Sequence, residues 1–450
     1  PKNLRTVGAS SDTSRGMNDY RIIEANADRV LVDGEPVPPA ELVATLSELV
    51  KSGIPLWSPT HRETVTALRN RGVAIRGIKD LTAAEECTGY PKRPAQTEHR
   101  GWGWVESECR WRDLWLHREA RGWLVDTDGL RALVDTLTAR IDTLNTSWDT
   151  DLTSATASEL GLESVRLPDL RKLEPQTPLV TALIEAGEAK ADITKARELL
   201  RHASGGRVHP TINAAGAATW RMTVSAPALH NMRGGLRRYL MAEPDEVLIG
   251  ADWSACEVKV AAWLSGDPRM RADLATGDIY ATIAANLGID RAVAKRVLLA
   301  PLYGQGDAGL GQSLGMTEAE AAEVREHIFG PYRKLRQWMR TVARTHDEAV
   351  YCSGVGQRQL PIPEPHRKVN YVVQSTARDL LVQAVLRVVD DPKLGVDTVW
   401  MAVHDELTLS VPRDRVEPCL EHLRAAMEFD LDGVQLTAEP MVLGERWGHP

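Results

Sequence analysis

The sequence predicts an α+β protein of several lobes, and three observations carry that prediction. Short apolar runs alternate with helical patterns between residues 20 and 90. A helical pattern occupies 106–203. Two strand signals, VLIGAD at 247–252 and TVWMAVHDELTLSV at 398–411, stand far apart in the chain. At 450 residues the chain has room for roughly two to four domains. Its 43% apolar and 26% charged residues exclude wholesale disorder. No run approaches the ~18–20 apolar residues of a membrane span, so no membrane association is expected. The polar N-terminal residues lack the apolar core of a secretory signal. Five cysteines lie far apart without a CxxC pair, which argues against a disulfide framework or a structural zinc site and makes a reducing cytoplasm the expected location.

Residues 1–19 read as a flexible lead-in. In 20–90 the runs RIIEA, RVLVDG, IPLWS and VAIRGI alternate with PAELVATLSELVKSG and HRETVTALRNRG, the pattern of a small α/β unit. YPKRPAQTEHRG, 90–101, reads as a linker. Trp102, Trp104, Trp111, Trp115 and Trp123 follow and read as core packing. LRALVDTLTARIDTL and ALIEAGEAKADITKARELLRHA have the 3–4 spacing of long amphipathic helices. Between them TSATASELGLESVRLPDLRKL reads as a helix–turn–helix-like patch. VLIGAD begins as a strand and gives way to helical spacing. Residues 290–300 form a helix, and 398–411 form two strands around a tight turn at His404–Glu406. There are no internal repeats.

The net charge of −8 argues against a protein that coats nucleic acid. The average hides a reversal: Lys195–Leu240 holds eight basic residues and one acid, a local charge of +7, leaving −15 elsewhere. A basic stripe on an acidic body can grip a polyanion locally, and can equally be a solvated face.

Two carboxylates stand out by context. Asp252 ends an apolar strand, and Asp405 sits in the turn between two others. Singly, each reads as a strand or turn cap; together they suit a hard cation with oxygen ligands and phosphoryl transfer. In RAVAKRVLLAPLYG, Arg291, Lys295, Leu299 and Tyr303 recur every four residues, a slowly drifting stripe on a helix. Two cations one turn apart can hold a triphosphate, although alone they read as a solvated basic face. GQGDAG at 304–309 matches GxGxxG but follows a helix, so no dinucleotide site is expected. The sequon at Asn145 carries no weight in a cytosolic chain.

Taken together these segments resemble the DNA polymerase I-like family A of DNA polymerases. DWSACEVKVAAWLSGDP resembles the family's motif A, RAVAKRVLLAPLYG its motif B and VHDE its motif C. NYVVQSTARDLL resembles the N-x-x-x-Q-x-T-A-x-D-L segment, WRMTVSAPALHNM the template-binding segment, and VQLTAEPMVLGERW the closing strand. The similarity runs in order over roughly 110–450.

The resemblance implies a right-hand fold, with a thumb at 106–205, a palm at 206–265 and 375–450, and fingers at 266–374. It implies attack of a primer 3′-hydroxyl on the α-phosphorus of a dNTP. Asp252 and Asp405, assisted by the Trp253 carbonyl, would hold two Mg²⁺, or Mn²⁺ in their place. Glu406 would support the primer end. Arg291 and Lys295 would hold the β- and γ-phosphates, with Lys295 placed to protonate pyrophosphate. Tyr303 would floor the base-pair pocket, and Glu257 would exclude a ribose 2′-hydroxyl. Arg221, Asn231, Gln374 and His404 would track primer–template DNA.

Departures from the family pattern bear on rate and sugar selection. Leu299 replaces an aromatic residue, Tyr280 a phosphate-contacting His in the nucleotide site, and Trp253 a Tyr. Ala228 and His230 replace Asn and Gln. Pro301 predicts a kink near the end of the fingers helix. Residues 20–100 read as a small α/β unit, an inactive remnant of a 3′–5′ exonuclease-like domain; Glu24 and Asp28 are isolated acids, and no 5′-nuclease domain is expected. The expected protein is a monomeric phage- or plasmid-type polymerase without proofreading, with any processivity factor left open. Two rivals stand beside it: a single-subunit RNA polymerase-like enzyme, and a catalytically inactive nucleic-acid-binding protein.

Overall fold

The apolar runs RIIEA, RVLVDG and IPLWS contribute strands whose buried Ile23, Val30 and Leu56 share one core; VAIRGI lies almost wholly outside the described residues. In the computed structural model, which describes residues 21–51, 56–71, 78–80, 83, 102–173, 177–232, 234–344, 351–352, 354–356, 359–360 and 365–448, strands β1 (Arg21–Ala25), β2 (Val30–Val32), β3 (Glu35–Pro36), β4 (Leu56–Ser58) and β5 (Lys79–Asp80) form one sheet in the order β3-β2-β1-β4-β5. Asp33 and Gly34 both take positive φ in the β2–β3 turn, the Asp-Gly chemistry of a tight hairpin. Helices α1 (Leu42–Lys51) and α2 (His61–Asn70) complete the unit. Ile23, Leu46 and Leu68 share its core with Leu116, which belongs to the next helix. The lead-in at 1–19 and the linker at 90–101 lie outside the described residues.

Helix α3 (Trp102–Arg121) leads to β6 (Trp123–Val125). Trp104, Trp111, Trp115 and Trp123 are core residues, as their density predicts. The indole N–H of Trp111 donates to the Ala214 carbonyl at 2.9 Å, and that of Trp123 to the Trp400 carbonyl at 3.0 Å. These bonds satisfy the polar edges of Trp111 and Trp123.

Helices α4 (Thr127–Trp148) and α6 (Pro178–His202) pack together. Asp126 caps the first, accepting from Gly129 N at 2.8 Å. Thr177 caps the second, with proline in its first turn. The helix–turn–helix expectation between them fails. Residues 149–166 run in turns, and only α5 (Leu167–Leu170) is helical. The hydroxyls of Thr153 and Ser154 donate to Asp151 at 2.7 Å, and that of Thr156 to Glu159 at 2.8 Å. Such local bonds compete with helix formation.

Short strands follow: β7 (Ala203–Ser204), β8 (Arg207–Val208), β9 (Thr211–Asn213), β10 (Thr223–Ser225) and β11 (Leu240–Met241). The central strand β12 (Glu246–Trp253) comes next. Seven helices succeed it: α7 (Cys256–Ser265), α8 (Pro268–Ala275), α9 (Ile279–Leu287), α10 (Arg291–Leu299), α11 (Asp307–Leu314), α12 (Glu318–Phe329) and α13 (Arg333–Arg344). After the small hairpin β13 (Tyr351–Cys352) and β14 (Gln359–Leu360), helix α14 (Lys368–Asp390) is buried almost all round. Then come β15 (Val399–Val403), β16 (Glu406–Pro412), α15 (Val416–Met427), β17 (Phe429–Leu431), β18 (Val434–Leu436) and β19 (Ala438–Gly444). The central sheet runs β15-β16-β12-β19, all antiparallel. Strand β15 is buried throughout and β16 nearly so, which is why both read as continuous apolar runs.

Candidate active site

The site begins where β12 meets the β15–β16 turn. Alternation along β12 turns Asp252 to solvent and Trp253 inward. The Trp253 side chain is 1% exposed, and its indole N–H donates to the Met427 carbonyl at 2.6 Å. Asp252 pairs with Glu406 in the β12–β16 register. Asp405 precedes Glu406 in the turn, so both aspartates lie at one end of the sheet. His404 opens that turn with φ 58°. Burial of the Asp405 carboxyl, reinforced by the charge of Asp252 and opposed by its own backbone N–H, pushes it up to about 6.

Among the described residues no group of three or more His, Cys, Asp or Glu side chains is arranged to hold a metal. The Asp252–Asp405 pair nevertheless fits a divalent cation shared with substrate and water. Its donors are hard oxygens, and the burial and, after it, the charge of Asp252 that raise Asp405 are what a cation offsets. Glu406 is engaged elsewhere: Arg237 reaches it at 3.4 Å and the Thr408 hydroxyl donates to it at 3.2 Å. The Arg237 guanidinium also stacks 4.2 Å from the Trp447 ring.

Ala255 takes φ 53° between strand and helix, and Glu257 falls in the first turn of α7. Its carboxylate is gripped from two sides. Arg221 Nη2 donates to Oε1 at 2.5 Å, and the Tyr303 hydroxyl donates to Oε2. Burial, then this bond, pushes the Tyr303 phenol up.

The four-residue stripe is correct for Arg291, Lys295 and Leu299 and fails at Tyr303. Helix α10 ends at Leu299, and 300–304 form turns. Pro301 has no N–H to continue the ladder, so the expected kink is a termination. The turn places Tyr303 against Glu257. Gly304 has φ 74°, and a Cβ there would lie 2.3 Å from the His366 carbonyl oxygen, so only glycine fits after Tyr303. Leu299 packs, partly buried, on the core.

Arg291 is exposed and paired with Asp278 at 2.7 Å. Tyr280 is buried, with Arg291 and Lys295 near its ring at 5.5 and 5.8 Å. His404 is exposed, and desolvation of its ring, followed by the charge of Arg221, lowers its pKa. Asn231 is exposed in a 3-10 turn, Leu229–Asn231. Gln374 lies on α14. Neither amide is hydrogen-bonded to the carboxylates. Sequence reasoning missed Asp278 and Arg237. Asp278 carried a legible signal, an aspartate just before an apolar helix; Arg237 carried none beyond its place in the basic stripe.

The family description "DNA polymerase family A" matches residues 141–449. The chain is similar to the thermostable DNA polymerase I of Thermus filiformis, 30% identical over 311 residues, covering 62% of this chain and 37% of that protein. It is also similar to the DNA polymerase of Mycobacterium phage L5, 25% identical over 351 residues, covering 73% and 58%. It therefore spans less than two thirds of the length of each of these relatives. Among solved structures, the POL domain of Pol1 from M. smegmatis, in complex with DNA primer-template and dNTP, superposes with a TM-score of 0.76 at 19% identity over 96% of each chain.

Proposed function

The chain belongs to DNA polymerase family A, and we propose that it extends the 3′-hydroxyl of a DNA primer with dNTPs, directed by a template. The observation that carries this reading is the Asp252–Asp405 pair at one sheet end, with Glu257 of the following helix bonded to Tyr303 in the turn after α10. The central sheet with α7 acts as the palm, 266–374 as fingers, and the α4–α6 pair as thumb.

When bound at Asp252, Asp405 and the Trp253 carbonyl, divalent cations (a pair of Mg²⁺, or Mn²⁺) supply Lewis-acid stabilisation of the phosphoryl oxygens and a lower pKa for the 3′-hydroxyl. The chain's own residues do the rest. Arg291 and Lys295 neutralise the β- and γ-phosphates, and Lys295 Nζ gives a proton to the departing pyrophosphate oxygen. Tyr303 floors the base pair beside Leu299. Glu257, held by Arg221 and Tyr303, stands where a 2′-hydroxyl would project. Arg221, Asn231, Gln374 and His404 contact the minor groove and backbone of the duplex, and Glu406 with Arg237 supports the primer end.

The N-terminal unit serves as a structural support and not as a proofreading nuclease, and the enzyme works as a monomer of phage or plasmid type. Primer extension with matched and 3′-mismatched primers tests these statements together. Matched primers are extended with dNTPs in Mg²⁺, and the mismatched nucleotide stays in place. No extension in Mg²⁺ or Mn²⁺ overturns the polymerase reading. Excision of the mismatch overturns the absence of proofreading, and equal use of rNTPs moves the chain to the RNA polymerase class.

A further inference from the structure

The cations of α10 are held by the helix before it. Asp278 is the N-cap of α9, and its Oδ1 accepts from the backbone N–H groups of Tyr280 at 3.0 Å and Ala281 at 3.1 Å. Its other oxygen, Oδ2, accepts from Arg291 Nε at 2.7 Å. One carboxylate thus closes α9 and restrains the first residue of α10. The bond uses Arg291 Nε, leaving both terminal NH₂ groups of the guanidinium to face an anion.

Tyr280 completes the arrangement. It is 5% exposed, and its ring centroid lies 5.5 Å from the Arg291 guanidinium carbon and 5.8 Å from Lys295 Nζ. Both cations fall within cation–π range of one aromatic ring. Burial pushes the Tyr280 phenol up, so the ring stays neutral. Arg291 and Lys295 are one helical turn apart, the separation at which a shared platform can align them.

The geometry points to Asp278 and Tyr280 as positioning residues: a carboxylate and an aromatic face that seat Arg291 and Lys295 as a preset pair for a polyphosphate, with Tyr280 acting through its ring and not through a bond from its hydroxyl to phosphate. This rests on the reading of α10 as the triphosphate site. An exposed arginine otherwise surrenders its rotamer freedom when it binds, and the seat removes much of that loss beforehand. Asp278 also draws charge from Arg291; were that competition dominant, its removal would tighten binding.

The test measures the Kd of inorganic tripolyphosphate for the whole chain by calorimetry, and kcat and KM for dNTP in primer extension. Asp278→Ser keeps an N-capping hydroxyl but cannot reach Arg291. It is expected to weaken tripolyphosphate and raise the dNTP KM about three- to tenfold, the cost of ordering one rotamer-rich side chain, with kcat changed far less. Tyr280→Leu is expected to weaken tripolyphosphate similarly, and Tyr280→Phe, which restores the ring, to recover most of the loss. Tighter or unchanged tripolyphosphate binding in Asp278→Ser overturns the seat. So does a Tyr280→Phe variant as weak as Tyr280→Leu, because the hydroxyl would then be the working group. A wild type that binds tripolyphosphate and extends primers while the variants do not differ from it condemns the seat alone. A wild type that does neither overturns the nucleotide site as well.

Discussion

Arg378 and Glu108, 270 residues apart, form a two-pronged buried ion pair: Nη1 to Oε2 at 2.6 Å and Nη2 to Oε1 at 3.1 Å. Glu108 also accepts from Arg112 Nε at 3.0 Å, and Arg112 reaches Asp80 on β5 at 3.0 Å. The chain of charges therefore ties the N-terminal unit through α3 to α14. Breaking this buried pair from the Glu108 side leaves Arg378 with its longer contact to Asp379 at 3.5 Å and loses the two-pronged bond. Glu108→Ala should cost about 3–5 kcal/mol, read as a lower denaturant midpoint. Replacing both partners with apolar residues should restore part of that loss. A Glu108→Ala midpoint equal to wild type would show that the network carries no stability.

Asp252→Ala and Asp405→Ala should each abolish primer extension while leaving primer–template affinity within a few-fold, because many phosphate contacts share the grip. Gel-based extension with parallel binding by fluorescence anisotropy checks both halves. Extension by either variant above a few per cent of wild type would refute the paired-carboxylate assignment.

Glu257→Ala should raise the efficiency of rNTP use relative to dNTP use by roughly a hundredfold, the discrimination available to a site that excludes one hydroxyl. It should also lower dNTP efficiency, since Tyr303 and Arg221 lose their shared acceptor. Single-nucleotide incorporation kinetics give the ratio, and an unchanged value would remove the gate role.

His230 supplies a pH dependence. Burial first, then the charge of His404, pushes its imidazole down to about 4, with a backbone bond to Ala402 opposing. A folded pKa below the unfolded one means that the unfolded chain binds the proton more readily. This contribution is therefore complete above pH ~6.5 and is lost as pH falls towards about 4. It amounts to about 3 kcal/mol at most. His230→Gln should flatten that part of the stability–pH curve in thermal melts between pH 4 and 7. An identical slope would show that other groups govern the acid limb.

How much of this was legible in the sequence depends on the range of the interaction involved. The places of Asp252 and Asp405 at a strand end and in a turn, and of Arg291 and Lys295 one turn apart on a helix, were readable because strand ends, hairpin turns and helical spacing are local patterns; the roles proposed for them came from the family resemblance. Trp104, Trp111, Trp115 and Trp123 were readable as core because large aromatic area must be buried. Within the TSATASELGLESVRLPDLRKL patch, 153–166 was misread because side-chain bonds such as Thr156 to Glu159 outweigh a helical pattern that looks acceptable on paper.

Tertiary structure alone decided the rest. That Tyr303, in the turn after Pro301, meets Glu257 46 residues away, and that Gly304 packs against the His366 carbonyl, are contacts only the folded chain makes. That Asp278 grips Arg291, that Arg237 holds Glu406, and that Arg378 neutralises Glu108 are contacts between segments 13, 169 and 270 residues apart. The residue types and their local spacing specify which groups can do chemistry. Which charge meets which is fixed only when packing brings distant segments within a few ångströms, because an ion pair or hydrogen bond has directional energy at contact distance and almost none along the chain.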